Sequence, residues 1–269
     1  MLLLVGRSIS CVNEAIQKHK GSSCTMAKKR APMEISVKMD KKIWHTYVVN
    51  IGEEFMINTT WVVQNEEHLS FCIGEIREIY GKKKNLVVGL CADTSHRYGG
   101  GLYNYTGKAK DDPFQLLQLC VGSHCILYNL DDVNYSRRGF MTNIKHKVLK
   151  GFLYDKYTTV VGVGIKEVAE KLERETGVII KNPVELRKLA EGEKSLKGNN
   201  VSGSKLADLA KLVLGEHMQF VKPKKTTWWS DKDDAYGDPL LSKDLIMYAT
   251  VEAFLAYEIG SKLLRCSYR

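Results

Sequence analysis

Four short stretches of this 269-residue chain carry residue types that could hold a ligand or do chemistry. Gly162-Val163-Gly164 follows an apolar run and precedes a helical pattern, the setting of a dinucleotide turn. The third glycine of that motif would stand at 167, which is Glu167, so close approach to a pyrophosphate is blocked. Gly192-Glu193-Lys194-Ser195 resembles the end of a phosphate-binding loop but lacks its upstream glycine and its strand, and reads as a charged loop. Cys120 and Cys125 flank a strand turn, and no second Cys or His pair completes a zinc site. The run from Lys222 to Trp229 sets Lys222, Lys224 and Lys225 beside Trp228 and Trp229. Lysines grip phosphates and tryptophans stack bases. The plainer alternative is solvated lysines around a core Trp229.

Composition is that of an ordinary globular chain, with 44% hydrophobic and 26% charged residues. The length allows one large domain or two small ones. The net charge is +9, but residues 1–42 hold 9 Lys+Arg against 3 acids, so most of the excess sits there. A basic balance favours polyanionic partners only as a prior. The opening apolar run, Leu2–Val5, is too short for a bilayer span or a secretory core, so no membrane partner is expected. Seven cysteines at irregular spacing then read as reduced thiols of a protein in the nucleus or cytoplasm. The sequons at Asn58, Asn104 and Asn134 read as chance matches.

Residues 1–42 read as a basic, flexible extension, with Lys28-Lys29-Arg30 as its densest cluster and Met26 as an alternative start. From residue 43 the text changes. Trp44–Val49 and Phe55–Val63 are β-branched and aromatic around Gly52-Glu53-Glu54, which predicts a hairpin. His68–Tyr80 has a helical period, and Leu86–Ala92 is a continuous apolar strand. Phe114–Val121, Cys125–Asn129 and Thr158–Val163 read as strands. Ile144–Leu153, Val168–Thr176, Val184–Leu189 and Ser204–Leu214 read as helices. Leu241–Leu264 is a long helical pattern with Ser242 as its N-cap. Strands mixed with helices and no repeat indicate one α/β domain.

The order of segments resembles the Werner syndrome-like 3′–5′ exonucleases, a branch of the DEDDy family, and within it the small plant members. The resemblance rests on Asn85–Leu90, Phe114–Gly122, Val161–Ile165, Glu170–Leu172, Trp229-Ser230, Leu241–Ala249 and Glu252–Phe254, and covers roughly residues 43–265. It implies an RNase H-like three-layer α/β domain over 43–269, with a mixed five- to six-stranded sheet and an N-terminal β-hairpin. It also implies hydrolysis of nucleic acid from a 3′ end, with two Mg2+ or Mn2+ ions. In the family, Asp-x-Glu on a strand aims two carboxylates to one face. A second Asp opens a helix, and Tyr-x-x-x-Asp places two groups on one helix face.

Carried over position by position, the first Asp falls on Cys91 and its Glu on Asp93. The Asp of the second motif falls on Val168. The third motif keeps Tyr248 but has Glu252 in place of Asp. Asp93 and Glu252 are thus the remaining metal ligands, and the catalytic positions are Asp93, Tyr248 and Glu252. Cys91 is a soft ligand, unsuited to magnesium. Glu167 neighbours Val168 but points about 100° away around a helix. Cys91, Ala92 and Val168 are expected to fill the former site as core residues. The run at Lys222, Lys224, Lys225 and Trp229 would border the substrate cleft, with Arg97 and Tyr98 as further contacts. The expectation is a 3′–5′ exonuclease-domain protein that binds DNA or RNA with weak or lost hydrolysis. The alternatives are an active exonuclease with an altered metal site, and a non-enzymatic protein–protein assembly module, including a homo-oligomer.

Overall fold

The computed structural model describes residues 33–40, 45–63, 65–81, 85–94, 113–130, 146–218, 229–233 and 239–267. Its centre is β4 (Leu86–Asp93), an apolar strand covered on both faces. β4 pairs antiparallel with β5 (Leu116–Val121) and parallel with β7 (Thr158–Gly162). β5 turns through Gly122-Ser123 into antiparallel β6 (His124–Asn129). Gly122 has φ +57°, a turn conformation that suits glycine. Every residue of β5 is buried, as a strand with helices on both sides requires.

The other strands extend this core at its edges. β2 (Thr46–Ile51) and β3 (Phe55–Val63) form the hairpin that the sequence predicts, and β3 joins β6 in parallel. β1 (Ile35–Met39) pairs with β2, and β8 (Pro183–Glu185) with β7. The order is β1-β2-β3-β6-β5-β4-β7-β8, a mixed sheet of eight strands rather than five or six. The two short edge strands make up the difference. β1 lies inside the segment read as an extension, and the compact unit begins at Pro32. Ile35 and Val37 pack against the core beside exposed Ser36 and Lys38, a period of two masked by the local charge. The segment read as a helix from Val184 is split. Val184 pairs with Val161 in β8, and only Leu186–Glu191 is helical, as α4.

Two helical layers cover the sheet. α1 (Glu66–Tyr80), α2 (Lys147–Leu153) and α3 (Ile165–Thr176) supply one. Leu69, Ile73 and Ile76 of α1 and Leu149 of α2 join Val88 and Leu90 in its core. α1 is capped by Asn65, whose side chain accepts from the His68 amide at 2.8 Å. α4, α5 (Leu206–Leu214) and α6 (Lys243–Ser267) supply the other layer. Ser242 caps α6, accepting from the Leu245 amide at 3.2 Å. β9 (Trp229–Asp233) and β10 (Pro239–Leu241) pair as a separate two-stranded sheet. Among the described residues no helix is long and apolar enough to cross a membrane.

The glycines of the failed nucleotide motifs have structural work. A Cβ on Gly162 would lie 2.7 Å from the Leu90 carbonyl oxygen, so glycine lets β7 approach β4. Gly164, at φ +67°, makes the left-handed entry into α3. Gly192 ends α4, and Glu193 accepts from the Ser195 amide in the charged turn that follows.

The tightest packing is between β4 and α6. A Cβ on Gly89 would fall on the Ala253 carbonyl oxygen and the Tyr257 amide nitrogen, both backbone atoms of α6. Backbone cannot move aside as a flexible side chain can. Gly89→Ala is therefore expected to cost about 1–3 kcal/mol, the usual range for overpacking. Urea unfolding would measure it, and an unchanged midpoint would show that α6 can lift away freely.

Candidate functional site

Alternation along β4 divides its last residues between the two layers. Leu90 and Ala92 face the α1–α3 layer. Gly89 and Cys91 face α6, and Asp93 follows them on that face. The antiparallel register sets Gln118 opposite Cys91, and Cys120 opposite Gly89. Gln118 is fully buried and donates from Nε2 to Asp93 Oδ2 at 2.8 Å. Its Oε1 is buried and receives no hydrogen bond.

α6 completes the arrangement. Ser242 starts the helix, and Gly89 lets it lie close to β4. Tyr248 and Glu252 are one turn apart, so they share a helix face. The Tyr248 phenol is held well above its usual range, first by burial and then by the charges of Glu252, Asp93 and Cys91. Those four residues are therefore neighbours. At neutral pH the phenol keeps its proton and can donate a hydrogen bond. Farther along the same sheet face, the Cys120 thiol is pushed up by burial, with Cys125, Glu258 and Cys91 around it. Cys72, Cys91, Cys120 and Cys125 are thiols rather than halves of disulfides.

The structure gathers Cys91, Asp93, Tyr248 and Glu252, and adds Gln118, which the sequence reading did not single out. Its signal was the alternation Leu116, Gln118, Cys120 on one face of β5. Val168 does not join them. It packs with Ala169 and Ala92 against the α1–α3 layer, across the sheet from Cys91. α3 begins at Ile165, so Val168 is already helical, its amide donating to the Gly164 carbonyl at 3.1 Å. Glu167 lies in the exposed first turn of α3. Arg97, Tyr98, Lys222, Lys224 and Lys225 lie outside the described residues. Trp229 opens β9.

The donor set does not fit a pair of hard divalent ions. Two such ions need several oxygen ligands at near-octahedral geometry. Here Asp93 is already bonded to Gln118, Cys91 offers sulfur, and Val168 offers nothing. Among the described residues no group of three or more His, Cys, Asp or Glu side chains could hold a metal ion.

An eight-stranded mixed sheet between two helical layers, with a polar group at the end of its central strand, is an RNase H-like fold. Several solved structures resemble it. Escherichia coli RNase D, an exoribonuclease involved in structured RNA processing, matches at TM-score 0.53 and 15% identity over 78% of this chain and 45% of that one. The chain thus spans about half the length of RNase D, and at this identity the likeness concerns the fold. The EXD2 exonuclease domain matches at TM-score 0.40 and 23% identity, over 78% of this chain and 94% of that one. The same domain soaked in Mn matches at TM-score 0.37 and 20% identity, over 77% and 89%. No protein-family model and no curated protein matches the chain.

The raised Tyr248 pKa has a consequence for stability. Below the ordinary phenol value of 10.0 the group is protonated in both the folded and the unfolded chain. As pH rises past that value, the unfolded chain gives up its proton first. Folded-state stability then falls until the folded pKa is passed. Tyr47 and Tyr257 are raised by burial too and add to this loss. Tyr248→Phe should therefore make stability fall less steeply above about pH 10. Chemical denaturation at stepped pH measures the slope, and an unchanged slope would place the phenol in solvent.

Proposed function

We propose that the chain is a 3′–5′ exonuclease-type domain of the Werner-like branch that binds nucleic acid ends and has lost efficient phosphodiester hydrolysis. The observation that carries this reading is the thiol at Cys91, two residues before Asp93 and next to Tyr248. In this reading Cys91 stands where the first carboxylate of a two-ion site would be. Without that carboxylate, Asp93 and Glu252 are left to hold any Mg2+ or Mn2+. Such ions, when bound, would supply the hydroxide nucleophile and neutralise the leaving oxygen.

The remaining groups suit binding better than bond cleavage. Tyr248 keeps its proton and donates to an oxygen acceptor of the terminal nucleotide. Asp93, oriented by Gln118, accepts from a terminal hydroxyl. Both carboxylates repel a phosphate that no cation neutralises. In transition-state terms the described side chains of the site supply no positive charge to offset the charge developing there.

A labelled duplex with a recessed 3′ end, incubated with Mg2+ or Mn2+, tests the reading. Binding with nucleotide release at least about 100-fold below that of a restored variant is expected. The restored variant is Cys91→Asp with Glu252→Asp. Adding Val168→Asp should not help, because that side chain packs into the opposite layer, and it should cost about 1–3 kcal/mol of stability. Robust release by the unaltered chain, abolished by Asp93→Ala, would sink the proposal in favour of an active enzyme with an altered metal site.

A further inference from the structure

At the opposite end of β4 from Asp93 lies a second surface with its own chemistry. The Leu86 amide donates to the Tyr157 carbonyl at 2.8 Å, which anchors the loop between α2 and β7 to the start of β4. An eight-residue strand separates this point from Asp93 by about 23 Å. Tyr154 and Tyr157 project from this loop and are each 54% exposed. Lys181 lies over the Tyr154 ring at 5.1 Å, and Lys156 over the Tyr157 ring at 4.9 Å.

The loop is held rigidly. The Lys181 amide donates to the Leu153 carbonyl at 2.9 Å, and Asn182 Nδ2 donates to the carbonyl oxygens of Lys156 and Thr158. Asp155, the carboxylate within the loop, is held by Arg77 at 3.3 Å and accepts from the Tyr157 amide. Its charge is thereby offset, and the lysines dominate the local field. Exposed Ile179 is two residues before Lys181. Three of the seven large hydrophobic side chains exposed among the described residues are thus in this patch. Exposed aromatic rings flanked by cations on a fixed backbone are the features that bind single strands, through stacking and phosphate contacts.

We infer that Tyr154, Lys156, Tyr157 and Lys181 form a second binding platform for single-stranded nucleic acid, remote from the Asp93 cleft. The inference rests on the nucleic-acid reading above but does not need a 3′ terminus. The platform holds the body of a strand, where no end is required. Base stacking on the two rings and ammonium contacts to phosphates supply the affinity without reading sequence.

A fluorescent circular single strand separates the two surfaces, because it has no 3′ end for the cleft. The full chain should bind the circle. Lys156→Glu with Lys181→Glu should weaken binding at least tenfold and flatten the salt dependence by a slope of about 1.4, the value for two phosphates no longer neutralised. Tyr154→Leu with Tyr157→Leu should weaken it at least fivefold with the salt slope unchanged. Lys38→Glu with Lys205→Glu reverses two exposed lysines elsewhere and is the control for net charge. Failure to bind the circle, equal losses in platform and control variants, or displacement of the circle by polyglutamate as effectively as by a linear strand would overturn the platform. The last result would point to an acidic protein partner instead. Preference for a linear strand with a free 3′ end, lost on Asp93→Ala, reports the cleft alone and stands or falls separately.

Discussion

The close approach of α6 to β4 at Gly89 is the constraint on which the site depends. With no side chain at that position, the helix backbone rests on the strand itself. The same seam recurs farther along, where a Cβ on Gly260 would fall within 3.0 Å of Val161 side-chain atoms. Two glycines thus set the height of a 25-residue helix over the sheet. That height brings Tyr248 and Glu252 down to Cys91 and Asp93. A bulkier seam would leave the same four residues present but apart. The buried bond between Thr59 and Thr250, 3.0 Å between hydroxyls, fixes the helix against rotation on the side of β3.

Within this frame the site sets a thiol and a phenol beside two carboxylates on one fixed scaffold. A thiol at the half-buried Cys91 position repels Asp93 and Glu252 less than a third carboxylate there would. The Gln118 amide then stabilises Asp93 with a hydrogen bond that requires no cation. Tyr248 remains a neutral donor between the two carboxylates. The Gly89 seam holds this geometry through backbone packing, whatever charge the four side chains carry.

Much of the fold was legible because its signals were local. The Ser242 cap, the β2–β3 hairpin and the apolar run of β4 all follow from short-range patterns. β1 was not legible, because Ile35, Val37 and Met39 alternate inside a lysine-rich segment whose charge suggested solvent. The split at Val184 was hidden because its pairing with Val161 is long-range and outweighs local helical preference. At the site, Cys91 and Asp93 could be paired by strand period, and Tyr248 with Glu252 by helix period. Gln118 needed the register of β5 against β4, which one strand alone does not contain. The surroundings of Val168 were not legible for a similar reason. Its neighbours are set by where α3 begins, and Gly164 makes that start earlier than the apolar pattern suggests.

The parallel seating of β3 on β6 has a further meaning. β6 is buried over five of its six residues, four of them apolar, and its outer backbone groups are satisfied by β3. Without the first three strands, that row of amides and carbonyls would be an open template for another chain. The short, lysine-bearing β1 then ends the sheet with a strand poorly suited to further pairing. The N-terminal strands thereby act as a guard against edge-to-edge aggregation, a task independent of whatever the cleft binds.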